Sequence, residues 1–292
     1  MVYDVTIFGI NVTLKPVAFT LPFFGGWNVY WYGIIIALGF FAALLYAFFN
    51  AKRFNVNLDR LLDVVLVAAP VAVLCARLYY IIFSDDMTIS EFFNFSSGGF
   101  AGLAIYGAVI GAILSGGIMC YIRKVSILDA FDLAAIGFLL GQGIGRWGNF
   151  INQEAFGAAT GSSWFGMTSS AVEAELGAGA LAHPCFLYES IWCLVGAFVL
   201  HKLSKKRAFS GQLILSYCVW YGFGRAIIEL LRTDSLYIGR LRVSSLLSFI
   251  LCISATVAMA LILKKVKTEN KDEQEYVPMF KENEEENKEI EE

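Results

Sequence analysis

Residues 30–49 read YWYGIIIALGFFAALLYAFF, twenty positions without a single Asp, Glu, Lys, Arg or His. A helix of about 20 residues rises about 30 Å, the thickness of a bilayer's hydrocarbon layer. Lipid offers no water to backbone amides, so such a stretch crosses only as a helix that bonds its own N–H and C=O groups. Six more apolar stretches follow: 61–83, 101–121, 127–145, 186–203, 213–231 and 243–263. The reading is an all-α polytopic membrane protein, with seven transmembrane helices and a small extracytoplasmic elaboration.

Composition agrees. Of 292 residues, 58% are hydrophobic and 16% charged, which excludes an ordinary water-soluble enzyme, a disordered chain and a disulfide mini-protein. The net charge of −3 conceals a division: residues 266–292 hold 11 acids and 4 lysines, and the rest carries +4. Three regions follow. Residues 1–29 form an extracytoplasmic N-terminal segment whose alternating Val5, Ile7 and Val12 fit a hairpin or surface strand. Residues 30–263 form the seven-helix transmembrane domain, with a long extracytoplasmic loop at 146–185. Residues 264–292 form an acidic, disordered cytoplasmic tail. The six cysteines show no metal-ligand spacing, five lie inside spans, and packing is the simplest role for them.

Loop charges set the orientation. Thirteen Lys and Arg residues fall on one side (52, 53, 60, 123, 124, 202, 205, 206, 207, 264, 265, 267 and 271) and five on the other (Lys15, Arg146, Arg232, Arg240 and Arg242). The basic side is cytoplasmic, which puts the N-terminus outside and the C-terminus inside. The alternating direction of the spans then sets depth. Arg77 and Tyr80 fall near the outer end of the second span, Arg146 ends the fourth, and Tyr221, Arg225, Glu229 and Arg232 occupy the sixth. Tyr32 starts the first span, Tyr106 lies in the second turn of the third, and Tyr188 and Glu189 open the fifth. Charged groups in a bilayer are costly and mark sites, so six spans define an outward-facing one. Asp129 and Asp132 lie at the opposite side and are expected to cap the fourth helix.

On the sixth span, Tyr221, Arg225, Glu229 and Arg232 fall within about 80° of one another, a single polar stripe. A buried Arg–Glu pair that only fixes packing is one reading. Two arginines outnumber one carboxylate, however, and the surplus positive charge favours an anion; guanidinium forks suit phosphate oxygens. Gly137, Gly141 and Gly145, like Gly107 and Gly111, are spaced for close helix approach and carry no chemistry.

Residues 145–157 read GRWGNFINQEAFG. This G-R-x-G-N-F-x-N-x-E-x-x-G run resembles the signature of the bacterial prolipoprotein diacylglyceryl transferase family. Trp31-Tyr32-Gly33, His183-Pro184-Cys185-Phe186-Leu187-Tyr188-Glu189, and Tyr221-Gly222-Phe223-Gly224-Arg225 with Glu229 and Arg232 also resemble elements of that family, and the likeness runs from about residue 27 to 263. It implies transfer of the diacylglyceryl group of phosphatidylglycerol to the lipobox cysteine thiol of a prolipoprotein. A thioether forms and glycerol 1-phosphate leaves, at the bacterial cell membrane and on its extracytoplasmic side. Both reacting groups come with the substrates, so no cofactor, metal or nucleic acid is implied; the partners are the two substrates and the bilayer.

By the same resemblance, Arg146 and Arg225 match the family's essential arginines and would stabilise the departing phosphate. Tyr106 stands where many members carry the His of a His-Gly-Gly run; a phenol with a pKa near 10 is a poor base, and thiolate formation beside arginines needs little help. Glu154 either binds glycerol hydroxyls or orients an arginine, against a helix-cap or salt-bridge role. Asn149 is a donor to glycerol or ester oxygens. Glu229 holds Arg225 or Arg232, and Arg77, Tyr80, Tyr32 and Tyr221 line the lipid site. Asn152 and Gly157 match the motif and shape its loop. His183 and Cys185 read as structural. A transporter or flippase for an anionic lipid or metabolite is the rival function, and it predicts inverted repeats or broken helices that the chain does not show. A metal-dependent phosphatidyl transferase needs a D-G-x-x-A-R run, which is also missing, and only the tail hints at a non-enzymatic assembly or receptor protein.

Overall fold

The computed structural model describes residues 2–22, 26–84, 89, 92, 102–233, 237–238 and 241–269. Arg240, Lys271 and the acidic tail beyond residue 269 lie outside the described residues. The helices in chain order are α1 (Trp31–Asn50), α2 (Leu58–Phe83), α3 (Ile105–Arg123), α4 (Ile127–Asn152), α5 (Ser170–Leu176), α6 (Cys185–Ser204), α7 (Gln212–Ile228) and α8 (Val243–Glu269). All but the short α5 are long and apolar enough to cross a membrane. The strands are β1 (Tyr3–Ile7), β2 (Ile10–Leu14), β3 (Val17–Leu21), β4 (Trp27–Tyr30), β5 (Met167–Thr168), β6 (Tyr237–Ile238) and β7 (Leu241–Arg242).

Several boundaries differ from the expected spans, each for a local reason. Helix α4 runs past Gly145 to Asn152, so Arg146, Asn149 and Asn152 stand on two extra helical turns rather than in a loop. Helix α3 starts at Ile105, because Gly102 has φ +73° and the Ala104 N–H bonds the Ala76 carbonyl instead of a helical one. Helix α7 ends at Ile228 and tightens into a 3-10 turn over Glu229–Leu231, which leaves Arg232 on extended backbone. Helix α8 continues through residues 264–269, where the tail was expected to begin.

The chain divides into two compact units. The first holds residues 20–28 and 48–131. In it α2 and α3 pack through small residues: a side chain on Gly107 would strike the Cys75 carbonyl, and one on Gly111 would lie 2.6 Å from the Cys75 Cβ. Arg123 pairs with Asp63 across the two helices.

The second unit holds residues 1–19, 29–47 and 132–292. Glycines let α1 and α4 approach closely here. A Cβ on Gly39 would lie 3.1 Å from the Gly141 carbonyl oxygen, one on Gly137 3.1 Å from Ala43, and one on Gly148 2.7 Å from the Tyr32 ring. Small residues of this kind allow packing in lipid, where no hydrophobic effect drives helices together. Beyond the helices, β2–β1–β5 form a small antiparallel sheet, with Val5 opposite Val12 and Thr6 opposite Thr168. Its core is Val5, Met167, Val172 and Ala182 with Phe150, Phe156 and Phe186. Phe150 of α4 and Phe186 of α6 stack at 4.5 Å, so the helix ends themselves carry this sheet.

Asp132 departs from expectation. Instead of capping its own helix it caps α7: its carboxylate, fully buried, accepts from the backbone N–H of Gly211, Leu213 and Ile214 at 2.8 Å each, and from Arg207 at 3.1 Å. It thereby satisfies the free amides of another helix's first turn. Removing the partner of a buried cation is strongly destabilising. Asp132→Ala is expected to lower the unfolding free energy in detergent by about 3–5 kcal/mol, and Asp132→Asn, which keeps one acceptor oxygen, by less.

Candidate active site

The motif at residues 145–157 is the end of α4 and the turn after it. Gln153 takes a left-handed φ of +55°, its N–H bonds the Phe150 carbonyl, and the Glu154 N–H reaches back to the Asn149 carbonyl. This pair of bonds is a Schellman cap. It folds Glu154 over the last helical turn, where its Oε1 accepts from Asn149 Nδ2 at 2.9 Å. Asn149 Oδ1 in turn accepts from Arg146 Nη1 at 3.4 Å. Arg146, Asn149 and Glu154 are one hydrogen-bonded run because the cap brings the fifth residue after Asn149 back beside it. Tyr32 of α1, whose ring lies over Gly148, stands near both Glu154 and Arg146.

Arg146 also reaches Glu189 on the second turn of α6. Its Nη2 lies 2.6 Å from Glu189 Oε2. Arg225 Nη1 of α7 donates to Glu189 Oε1 at 2.7 Å, and Arg232 Nη1 to the same oxygen at 3.3 Å. Arg225 spends its other fork arm on Glu229 Oε2 at 2.6 Å, an i,i+4 pair. Arg242 donates to the Glu229 backbone carbonyl. The Glu189 side chain is only 3% exposed, against 20% for Arg146 and 16% for Arg225. Three guanidiniums, of Arg146, Arg225 and Arg232, thus meet the two buried carboxylates of Glu189 and Glu229, and the balance is positive. The arginines are the more open members, so the surplus charge faces outward from Glu189.

Two devices fix this geometry. Trp192 of α6 and Trp220 of α7 stack at 4.5 Å, and each indole N–H donates to the other residue's carbonyl, at 2.9 and 3.0 Å. Gly196 and Gly224 leave room for the rings. The helices bearing Glu189 and Arg225 are therefore held in one register. Second, Gly157 is pinned: its N–H bonds the His183 carbonyl, it bridges Arg232, and a Cβ there would lie 2.7 Å from His183 and 2.8 Å from the Cys185 sulfur. The motif's last glycine thus seats the Arg232 backbone, and Cys185 is buried packing beneath it.

Of the residues singled out from sequence, Arg146, Asn149, Glu154, Tyr32, Tyr221, Arg225, Glu229 and Arg232 gather in the second unit, with Asn152 ending α4. Tyr221 lies near Arg146, Glu189 and Arg225. Arg77, Tyr80 and Tyr106 belong to the α2–α3 unit. There the buried Arg77 donates to the Gly102 carbonyl at 3.5 Å, Gly102 packs on the Tyr80 ring, and the half-exposed Tyr106 lies 6.3 Å from Tyr79. The sequence places Glu189 only at the depth of the site, among its polar groups, and the structure makes it the hub. A carboxylate five residues into an apolar helix, with arginines on two other spans, was the available signal. Arg242 was counted only towards orientation.

Comparison with known proteins agrees with this architecture. Residues 16–261 match the model of the prolipoprotein diacylglyceryl transferase family. The chain is 40% identical over 263 residues to the phosphatidylglycerol–prolipoprotein diacylglyceryl transferase of Clostridioides difficile, covering 89% of this chain and all of that one. It is 41% identical over 254 residues to the enzyme of the same name from Ligilactobacillus salivarius, covering 84% and 92% of the two chains. With its seven membrane-length helices, the chain belongs to the prolipoprotein diacylglyceryl transferase family.

Proposed function

We propose that this protein transfers the diacylglyceryl group of phosphatidylglycerol to the lipobox cysteine of a prolipoprotein, and that the Glu189-centred arginines are where the lipid phosphate is held. The cysteine sulfur attacks the glycerol carbon that bears the phosphate oxygen. A carbon–sulfur bond forms, the carbon–oxygen bond breaks, and glycerol 1-phosphate leaves with the bonding electrons; the thiol proton goes to solvent or to the departing phosphate. Negative charge grows on the leaving oxygen, so donors already aimed at it lower the barrier. Arg146 and Arg225 supply those donors, and Arg232 adds charge behind them. Asn149 and Glu154, joined to Arg146 by hydrogen bonds, are placed for the glycerol hydroxyls. Tyr32 and Tyr221 flank the same residues, and Glu229 positions Arg225. Within the α2–α3 unit, Arg77 and Tyr80 are the residues proposed to contact lipid, and Tyr106 is a hydrogen-bonding group rather than a base.

The same positive surplus favours the thiolate over the thiol, so the acceptor needs no strong base. Orientation follows the loop charges: the N-terminus outside, the C-terminus in the cytoplasm and the site on the extracytoplasmic side. The observation that carries the reading is the meeting of Arg146, Arg225 and Arg232 on one buried carboxylate. An anion transporter would have no need of a motif turn that couples Asn149 and Glu154 to an arginine.

The test is to mix purified protein, phosphatidylglycerol vesicles and a lipobox peptide and to follow peptide mass. A diacylglyceryl adduct that needs the cysteine supports the reading; a missing adduct, or equal behaviour of wild type and Arg146→Ala, opposes it. Arg146→Ala and Arg225→Ala are expected to lower kcat/KM by about 10²–10³-fold, the usual effect of losing a transition-state donor. Arg225→Lys keeps the charge but cannot bridge Glu189 and Glu229 at once, so its rate should stay within about tenfold of Arg225→Ala. Glu189→Ala leaves three guanidiniums without their common acceptor. It should destabilise the fold by about 3–5 kcal/mol, read as a lower Tm in detergent.

A further inference from the structure

Outside the helices, β2 is the free edge of the small sheet, whose order is β2–β1–β5. Its register with β1 runs unbroken from Ile7–Ile10 to Tyr3–Leu14. The two loop residues, Phe8 and Gly9, have φ +50° and +80°, the positive values that a type I′ turn requires. Such a turn bonds the Ile7 carbonyl to the Ile10 N–H. Antiparallel pairing alternates from there. Ile10, Val12 and Leu14 turn their backbone groups towards β1, while Asn11 and Thr13 turn theirs to the open side. The Phe8 N–H, which bonds the Gly166 carbonyl on the far side of β1, fits the same alternation. Asn11 and Thr13 make no backbone hydrogen bond on the open side among the described residues.

The edge is undefended and its apolar face is unfinished. Residues opposite one another share a face, so Ile10 and Val12 lie beside Ile7 and Val5. Val5 is 1% exposed within the sheet's core, but Ile10 is 65% exposed and Val12 37%. The other face is closed by side-chain bonds, from Thr6 to Asn11 at 2.7 Å and from Thr13 to Asp4 at 2.8 Å. Exposed edges usually carry a charge, a proline or a bulge that stops another strand from joining. β2 reads Ile-Asn-Val-Thr-Leu, and charge and proline come only beyond its end, at Lys15 and Pro16. A strand laid along it finds main-chain partners at Asn11 and Thr13 and covers Ile10 and Val12.

We infer that the free edge of β2 takes the extended chain that follows the acceptor cysteine of a prolipoprotein, as an added strand. This rests on the function and orientation proposed above. The signal segment ahead of the cysteine is apolar and stays in the bilayer, so what reaches a sheet outside it is the chain beyond the cysteine. The sheet is tied by backbone pairing to the arginine cluster. From β5 the pairing continues to Ala182, from residues 182–183 to residues 157–159, and from Gly157 to Arg232. At about 4.8 Å per strand, β2 lies at most about 24 Å from Arg232, a gap that about seven extended residues span. Main-chain pairing makes few demands on sequence, and Ile10 and Val12 favour apolar side chains at alternate positions.

The test uses full-length protein in phosphatidylglycerol vesicles and two lipobox peptides. One ends about two residues after the cysteine, and the other about fifteen, with valine and serine alternating in the extension. The wild type is expected to show a KM about tenfold lower for the longer peptide at equal kcat, the net worth of one or two hydrogen bonds. Thr13→Pro removes an outward N–H and leaves the ladder to β1 whole. It should raise the KM of the longer peptide to that of the shorter, whose rate stays within about twofold. Thr13→Ala loses the bond to Asp4 but keeps the N–H, and should retain the difference. Equal KM values for the two peptides in the wild type overturn the proposal, as does a Thr13→Pro enzyme that slows on both alike, which would make the sheet a brace only. A changed oligomeric state in Thr13→Pro with the peptide preference intact would assign the edge to a second copy of the chain, and overturns it too. An adduct from neither peptide would instead refute the transferase reading, and the docking edge with it.

Discussion

A carboxylate buried among helices built for lipid is costly unless cations surround it. Glu189 meets that condition with Arg146 from α4, and Arg225 and Arg232 from α7 and the strand-like segment after it. The dependence runs both ways. Three guanidiniums gathered without an anion would repel one another and drive the helix ends apart. With Glu189 between them they converge, yet one carboxylate, even with Glu229 beside it, does not neutralise them. The residual positive charge is fixed in place before any substrate arrives, which is the condition for electrostatic stabilisation that needs no rearrangement during the reaction.

The rest of this unit holds that cluster to a fixed geometry. Glycines 39, 137, 141 and 148 allow α1 to lie against α4 and bring Tyr32 beside the Arg146 end. The reciprocal Trp192–Trp220 pair sets the register of α6 and α7 through two indole–carbonyl hydrogen bonds, which remain strong where water is scarce. At the far end of the same helices, Asp132 closes the start of α7. Helix α7 is thus tied at both ends to α4 or α6, and its arginine has little freedom to drift. The small sheet over residues 3–14 and 167–168 rests on Phe150 and Phe186, so it braces the ends of α4 and α6.

Much of this was legible in the chain. Seven apolar stretches dictate seven helices, because lipid leaves the backbone no other way to satisfy its hydrogen bonds. Glycines at four-residue spacing announced close packing, and the contacts lie where that spacing put them. Arg225 and Glu229, four residues apart on one helix, were readable as a pair. Limits appeared wherever a partner came from another element. Asp132 looked like a cap for its own helix and caps α7, whose free amides are 79 to 82 residues away in sequence. Arg146 looked like the first residue of a loop and is helical, because a left-handed Gln153 ends the helix late.

The sequence by itself determined that the chain crosses a bilayer seven times, which residues are too costly to be accidental at that depth, and the family to which their pattern belongs. Periodicity and transfer cost act along the chain, so they can be read from it. The tertiary structure alone decided that Glu189 is the shared counter-ion and that Gly157 seats Arg232. Those facts depend on distances of 2.6 to 3.3 Å between side chains on different elements, and the rotation and crossing of those elements, which no local pattern encodes, set such distances.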